Sequence, residues 1–172
     1  MPVFNGTAND DFLLLAPNVG VGPDTVNGFG GNDSIDAQSA NDSVDGGAGN
    51  DQIMGRSGND TLFGDIGDDT ISGDSPLDAG VDAGNDLIFG GDGNDLIHGG
   101  PLSDTMLGGA GDDTMFSDQF ADQFIGGDYI SANQGFDVVS YTSPLANYGM
   151  IAVNAYLHNA ALNSGGAFGD TY

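Results

Sequence analysis

The sequence predicts an all-β fold of many short strands joined by tight turns, and three periodic features carry that prediction. Asp recurs every nine residues, at Asp24, Asp33, Asp42, Asp51, Asp60 and Asp69 and again at Asp86, Asp95, Asp104, Asp113 and Asp122. Two residues after each stands an apolar side chain: Val26, Ile35, Val44, Ile53, Leu62 and Ile71, then Ile88, Ile97, Met106, Met115 and Phe124. Two residues before it stands Gly in eight of the eleven cases (Gly22, Gly31, Gly49, Gly58, Gly67, Gly84, Gly93 and Gly111), with Ala40, Leu102 and Phe120 in the other three.

Composition alone points the other way. With 31 Gly, 6 Pro and a net charge of −25 in 172 residues, the chain has the profile of a disordered polymer. At a hydrophobic share of 38%, filling all eleven apolar positions by chance has odds of roughly one in forty thousand. Disorder does not keep such a period. In the cleanest units, GGAGNDQIM at 46–54 and GGDGNDLIH at 90–98, Gly tolerates positive φ and close backbone approach, so the first six positions make a turn. The last three make a short strand with its middle, apolar residue turned inward.

Taken in order, residues 1–23 are an N-terminal cap containing a degenerate unit, NGTANDDFL at 5–13, with Asp10 and Phe12 in the Asp and apolar positions. Residues 24–140 are the repeat array. Asp69 and Asp86 are 17 residues apart, one period plus eight, so a loop is pushed out at about 75–82. A second insertion falls at about 128–133, after which GFDVV at 135–139 resumes the pattern with Asp137 and Val139. Residues 141–172 form a β-rich extension in which GMIAVNAYL at 149–157 alternates and is expected to add strands to the last coil. Asp170 and Tyr172 fall in another Asp-x-apolar position, so the array is expected to be incomplete at residue 172.

The same inventory excludes several functions. One cation, Arg56, against 26 acidic residues, all Asp, leaves no basic face for nucleic acid. An anionic membrane surface is disfavoured as well, and no apolar run is long enough to span a bilayer. The N-terminus lacks a basic stretch and has only a short apolar one, so no Sec signal peptide is expected. There is no Cys, and His98 and His158 are sixty positions apart, so zinc has no ligand cluster; His98 is expected at the surface. There is no Glu for an EF-hand, no Lys for a phosphate loop and no GxSxG elbow. Dense Asp could furnish a carboxylate pair for glycoside hydrolysis, but one metal-binding explanation accounts for the whole column, and no catalytic residue is assigned.

The units match GGxGxDxUx, with U a large apolar residue, and the chain from about residue 5 to 140 thereby resembles the RTX, or hemolysin-type, calcium-binding nonapeptide-repeat proteins. The resemblance implies a right-handed parallel β-roll in which two units make one coil and turns stack on the next but one. Asp33 then lies above Asp51, Asp42 above Asp60, Asp51 above Asp69, Asp86 above Asp104 and Asp95 above Asp113. It also implies several Ca²⁺ ions held by Asp33, Asp42, Asp51, Asp60, Asp69, Asp86, Asp95, Asp104, Asp113 and Asp122 and by the turns of Gly31, Gly49, Gly58, Gly67, Gly93 and Gly111.

The physics of such a stack agrees. Strands spaced ~4.8 Å apart bring neighbouring carboxylates together; at about 5 Å two charges repel by roughly 0.8 kcal/mol in water and ~3 kcal/mol at an effective dielectric of 20. A divalent ion reverses that sign, and carboxylate plus carbonyl oxygens suit Ca²⁺ better than the tighter Mg²⁺ octahedron. With only two inward apolar side chains per coil, burial alone is too small to order the chain, so ion binding is expected to supply part of the folding free energy.

An extracellular, secreted bacterial protein exported by a type I route is what the resemblance implies about context. Its alternatives are the non-catalytic part of a secreted RTX enzyme (protease, lipase or epimerase type) and an adhesive or surface-layer protein. The ninth position of each unit points outward. If the alternation survives the insertion, one sheet presents Asp45, Phe63, Phe89, Leu107 and Ile125, and the other Asn27, Asp36, Met54, Ser72, His98 and Phe116. The apolar row Phe63, Phe89, Leu107 and Ile125 is a candidate surface for another domain or a protein partner.

Overall fold

The computed structural model describes residues 2–15, 22–74, 83–117, 120–126, 138–141 and 154–156. The expected insertions at 75–82 and 128–133, Asp137, and all of 141–172 but Tyr141 and 154–156 lie outside them. Within the described residues the chain is a β-roll of two facing parallel sheets. Strands β1 (Val3–Asn5), β3 (Thr25–Asn27), β5 (Ser43–Ala48), β7 (Thr61–Ile66), β9 (Leu87–Asp92), β11 (Thr105–Ala110), β13 (Gln123–Ile125) and β15 (Asn154–Tyr156) form the first sheet in that order. Strands β2 (Phe12–Leu14), β4 (Ser34–Asp36), β6 (Gln52–Met54), β8 (Thr70–Ser72), β10 (Leu96–His98), β12 (Thr114–Ser117) and β14 (Val138–Tyr141) form the second. Successive strands alternate between sheets, so one coil is two nonapeptides, as the resemblance implied.

Register follows the apolar column. Val44 pairs with Leu62 in one sheet and Ile53 with Ile71 in the other. Between β7 and β9 the partners become Leu62 and Ile88, so the register of the ladder shifts by the extra eight residues and continues. All eleven apolar positions are buried, none more than 2% exposed, and with Leu15 and Ala37 they form one continuous core. Each strand turns only one side chain inward: the three-residue strands have one inward position, and in the six-residue strands the second buried position is Gly46, Gly64, Gly90 or Gly108.

Three details differ from the sequence reading. In the N-terminal unit, Leu13 rather than Phe12 pairs with Ile35, and Phe12 is 73% exposed. Asp11 rather than Asp10 takes the inward Asp position, since its amide bonds to Oδ1 of Asp33. Asn27 lies in the first sheet beside Asp45, not in the second. The alternation otherwise survives the insertion: Phe63, Phe89, Leu107 and Ile125 are neighbours on the outer side of the first sheet, with Phe63 and Phe89 stacked at 4.8 Å. On the second sheet His98 faces outward and stacks on Phe116 at 4.2 Å. Strand β15 falls inside the 149–157 segment and extends the first sheet beyond β13.

Candidate metal centre

Every turn ends in Asp, and the turns stack in two columns, one on each side of the roll. In the column leaving the first sheet, the amide of Asp33 donates to Oδ1 of Asp51, that of Asp51 to Asp69, that of Asp69 to Asp95 and that of Asp95 to Asp113, at 2.8–2.9 Å. In the column leaving the second sheet the same bond links Asp24 to Asp42, Asp42 to Asp60, Asp60 to Asp86, Asp86 to Asp104 and Asp104 to Asp122, at 2.7–3.1 Å. All five stacked pairs implied by the resemblance are therefore present. Asp122 joins its ladder as well.

These carboxylates are buried, at 0–3% exposure. Oδ1 is satisfied by the ladder in all but Asp24 at its first rung, whereas Oδ2 of Asp33, Asp42, Asp51, Asp60, Asp69, Asp86, Asp95 and Asp104 has no hydrogen-bond partner. A buried acceptor left in that state costs free energy. Its surroundings explain the pattern. A Cβ on Gly46 would sit 2.5 Å from Oδ2 of Asp51, and a Cβ on Gly64 would crowd Oδ2 of Asp69 and lie 2.5 Å from the carbonyl oxygen of Gly90. At these positions the first residue of the turn is Gly because an oxygen-lined cradle occupies the space that a side chain would take; the turn of Asp42 departs from this and opens with the buried Ala37.

Burial pushes these groups away from the usual carboxylate value of 3.8. Asp42 and Asp95 rise to about 6, Asp69 and Asp86 to about 7, and Asp60 and Asp104 to about 8. Loss of solvent is the largest cause in each, offset in part by the ladder hydrogen bond and reinforced by neighbouring Asp. Asp33 and Asp51 are raised for the same reason. Burial thus raises the proton affinity of these oxygens, the response of a carboxylate that lacks a compensating cation.

The six glycines singled out from the sequence stand two residues before their Asp, where a Cβ would meet the turn of the preceding coil rather than an Asp Oδ2. Gly31, Gly49, Gly67 and Gly93 donate their amides to carbonyls of the next coil at 2.7–2.8 Å. Gly49 shows why the residue is required: its φ is 134° and a Cβ would fall 2.6 Å from the carbonyl carbon of Gly31. Gly58 and Gly111 share the positive φ.

Two features escaped the sequence reading. The residues before Asp33, Asp51, Asp69, Asp95 and Asp113 form a second ladder in which Asn32 Oδ1 accepts from the amide of Asn50, Asn50 from Asp68, Asp68 from Asn94 and Asn94 from Asp112, at 2.8–3.1 Å. Asn41, Asn59 and Asn85 do the same on the other side, ending at Ser103. The recurring Asn-Asp pair was the available signal. Asp74 lies outside the nine-residue column yet is 1% exposed, and its charge raises Asp60, Asp86 and Asp104.

Among the described residues no three His, Cys, Asp or Glu side chains converge on one point. An ion here would draw on one or two carboxylates and on main-chain carbonyls. That donor set is all oxygen and anionic, which fits Ca²⁺, a hard cation with flexible coordination of about six to eight ligands.

RTX calcium-binding nonapeptide repeats match in four copies, over residues 18–44, 45–75, 81–106 and 103–124, together more than half of the chain. No curated protein and no solved structure matches the chain. The repeat match, the parallel roll and the stacked, cation-seeking carboxylates agree, and the chain belongs to the RTX calcium-binding nonapeptide-repeat family.

Proposed function

We propose that this chain is a calcium-dependent folding module of a secreted, extracellular bacterial protein, disordered where Ca²⁺ is scarce and folded where it is abundant. The ligands in this reading are Asp33, Asp42, Asp51, Asp60, Asp69, Asp86, Asp95, Asp104, Asp113 and Asp122, with carbonyls from the glycine-rich turns around Gly31, Gly49, Gly58, Gly67, Gly93 and Gly111. Residues 24–140 carry the ions, residues 1–23 cap the first coil and residues 141–172 extend the last. The observation that carries the reading is the row of buried Oδ2 atoms without hydrogen-bond partners, each but that of Asp42 beside the glycine that opens its turn. A chain that must desolvate so many carboxylates gains most of its folding free energy only when a cation compensates them.

The extracellular assignment is supported by the repeat family and by affinity arithmetic. Sites built from few carboxylates and many carbonyls fall in the weak range typical of extracellular modules. An unfolded, highly charged chain also suits passage through an export channel. Far-UV circular dichroism during a calcium titration tests the proposal. In chelator at pH 7.5 the strand signal is expected to be small, to appear cooperatively with Ca²⁺ and to respond weakly to Mg²⁺. An equally folded chain in chelator would overturn it.

A further inference from the structure

On the outer side of the first sheet the six-residue strands bend at their glycines and enclose a groove of about 600 Å³. Phe29, Ile66, Phe89 and Leu107 line it together with Asp65 and Asp92. Phe29 and Ile66 are exposed by 58% and 59%, far more than either needs to be to cover neighbouring turns. We propose that this groove binds an extended cationic segment of another polypeptide, one carrying large apolar side chains flanked by lysine or arginine.

The walls are built from departures from the repeat. The second position of these turns is Gly at Gly47, Gly91 and Gly109, all with positive φ, and the floor there carries no side chain. The two exceptions, Phe29 at φ 75° and Asp65 at φ 73°, hold the same left-handed backbone at a cost that Gly avoids. Both line the groove. The third position adds Ile66 and Asp92 directly above one another in register. Strained and unusual residues thus supply one apolar and one acidic element apiece.

Charge identifies the occupant. Asp65 and Asp92 are exposed, and the sole Lys or Arg of the sequence, Arg56, is committed to Asp36 on the opposite column of turns. No segment of this chain, and no second copy with its net charge of −25, can neutralise the groove's acids. A foreign basic segment can, and it gains apolar burial at the same time. From Phe29 to Leu107 the groove crosses four strand steps, about 19 Å at ~4.8 Å each. An extended segment of about six residues spans that length.

The test uses the full chain saturated with Ca²⁺ at physiological salt and a fluorescein-labelled hexapeptide alternating phenylalanine with lysine, N-acetylated and C-amidated. Anisotropy is expected to show saturable binding. Two control peptides, with glutamate replacing lysine and with serine replacing phenylalanine, are expected to bind at least tenfold more weakly. Ile66→Ser and Asp92→Asn, both at exposed positions, are each expected to weaken binding at least fivefold while the calcium-induced dichroism stays unchanged. Equal binding of the serine peptide, undiminished binding to both variants, or a preference for zwitterionic lipid vesicles over the peptide would overturn the proposal. Dichroism on the same samples separates the two readings: a folded roll that ignores the peptide removes the groove alone, whereas a chain with neither strand signal nor binding removes both.

Discussion

The amide of Asp42 donates to Oδ1 of Asp60 at 2.7 Å across eighteen residues, while Oδ2 of the same carboxylate is buried without a donor. One oxygen therefore holds the coils together and the other waits for a cation.

Asp60→Asn separates those two duties. Its Oδ1 still accepts from Asp42, and its new Nδ2–H can donate to a turn carbonyl where Oδ2 was orphaned. The variant is expected to be more stable than the parent in chelator at pH 8, since a buried carboxylate has been neutralised. Its calcium midpoint is expected to rise about tenfold, or ~1.4 kcal/mol. Isothermal calorimetry, paired with far-UV dichroism in chelator where the variant is expected to keep more strand signal than the parent, checks both signs; an unchanged midpoint would remove Asp60 from the ligand set.

Proton linkage gives the calcium-free chain an unusual pH profile. The raised Asp residues carry folded-state values of about 6 to about 8, against 3.8 as their ordinary value. Below 3.8 both states are protonated and the stabilisation is fully present. As pH rises, the unfolded chain releases its protons first, so stability falls through the range from about 4 to about 8 and then levels. In chelator, the folded fraction read from far-UV dichroism is expected to fall from pH 5 to pH 8. With saturating Ca²⁺ the slope is expected to flatten or reverse, because ion and proton compete for the same oxygens. A calcium-free chain more stable at pH 8 than at pH 5 would contradict the burial of these groups.

The residues from 24 to 126 were legible because the nine-residue column fixes two things together: Asp33 or Asp51 ends a turn, and Ile35 or Ile53 two places on enters the core. Where the column broke, sequence gave a choice that only packing resolves. Asp10 and Asp11 are adjacent, and the period cannot say which is inward. Asp11 joins the inward ladder through Asp33, and Asp10 instead accepts from the amide of Asn32 in the outer one. Asn27 required counting the sheets from the correct end. Asp74 stands in the second position of its turn, where other units have Gly47 or Gly91, so the Asp column gave no sign of its burial. The groove has the same origin, since Phe29, Ile66 and Phe89 are 37 and 23 residues apart and meet only through the stacking of β3, β7 and β9.

Backbone strain offers a test free of charge effects. Ala40 holds φ 103° in the position that Gly occupies in most units. Ala40→Gly is expected to stabilise the calcium-loaded roll by about 0.5–1 kcal/mol, the left-handed penalty less the added freedom of the unfolded chain. Gly67→Ala is expected to do the reverse by more than ~2 kcal/mol, because its φ is 135° and the new Cβ would meet the carbonyl carbon of Gly49 at 2.6 Å. Urea titrations at fixed Ca²⁺ measure both, and equal and opposite effects would show that strain rather than collision dominates.

Core and ion are coupled because the same coils carry both. Leu62 is fully buried between Val44 and Ile88 of the neighbouring strands, so Leu62→Ala is expected to cost about 2–5 kcal/mol through lost transfer energy and a residual cavity. The substitution touches no carboxylate. If ions bind only the folded roll, the lost stability must nevertheless reappear as a demand for more Ca²⁺, with the folding midpoint moving upward by an amount that depends on how many ions bind in the cooperative step. Measuring the midpoint by circular dichroism for Leu62→Ala and for the milder Ile53→Val, expected to cost ~0.5–1.5 kcal/mol, gives two points on that relation. A core deletion that lowers thermal stability at saturating Ca²⁺ but leaves the calcium midpoint in place would mean that the ions bind a chain that is already folded, and the coupling would be absent.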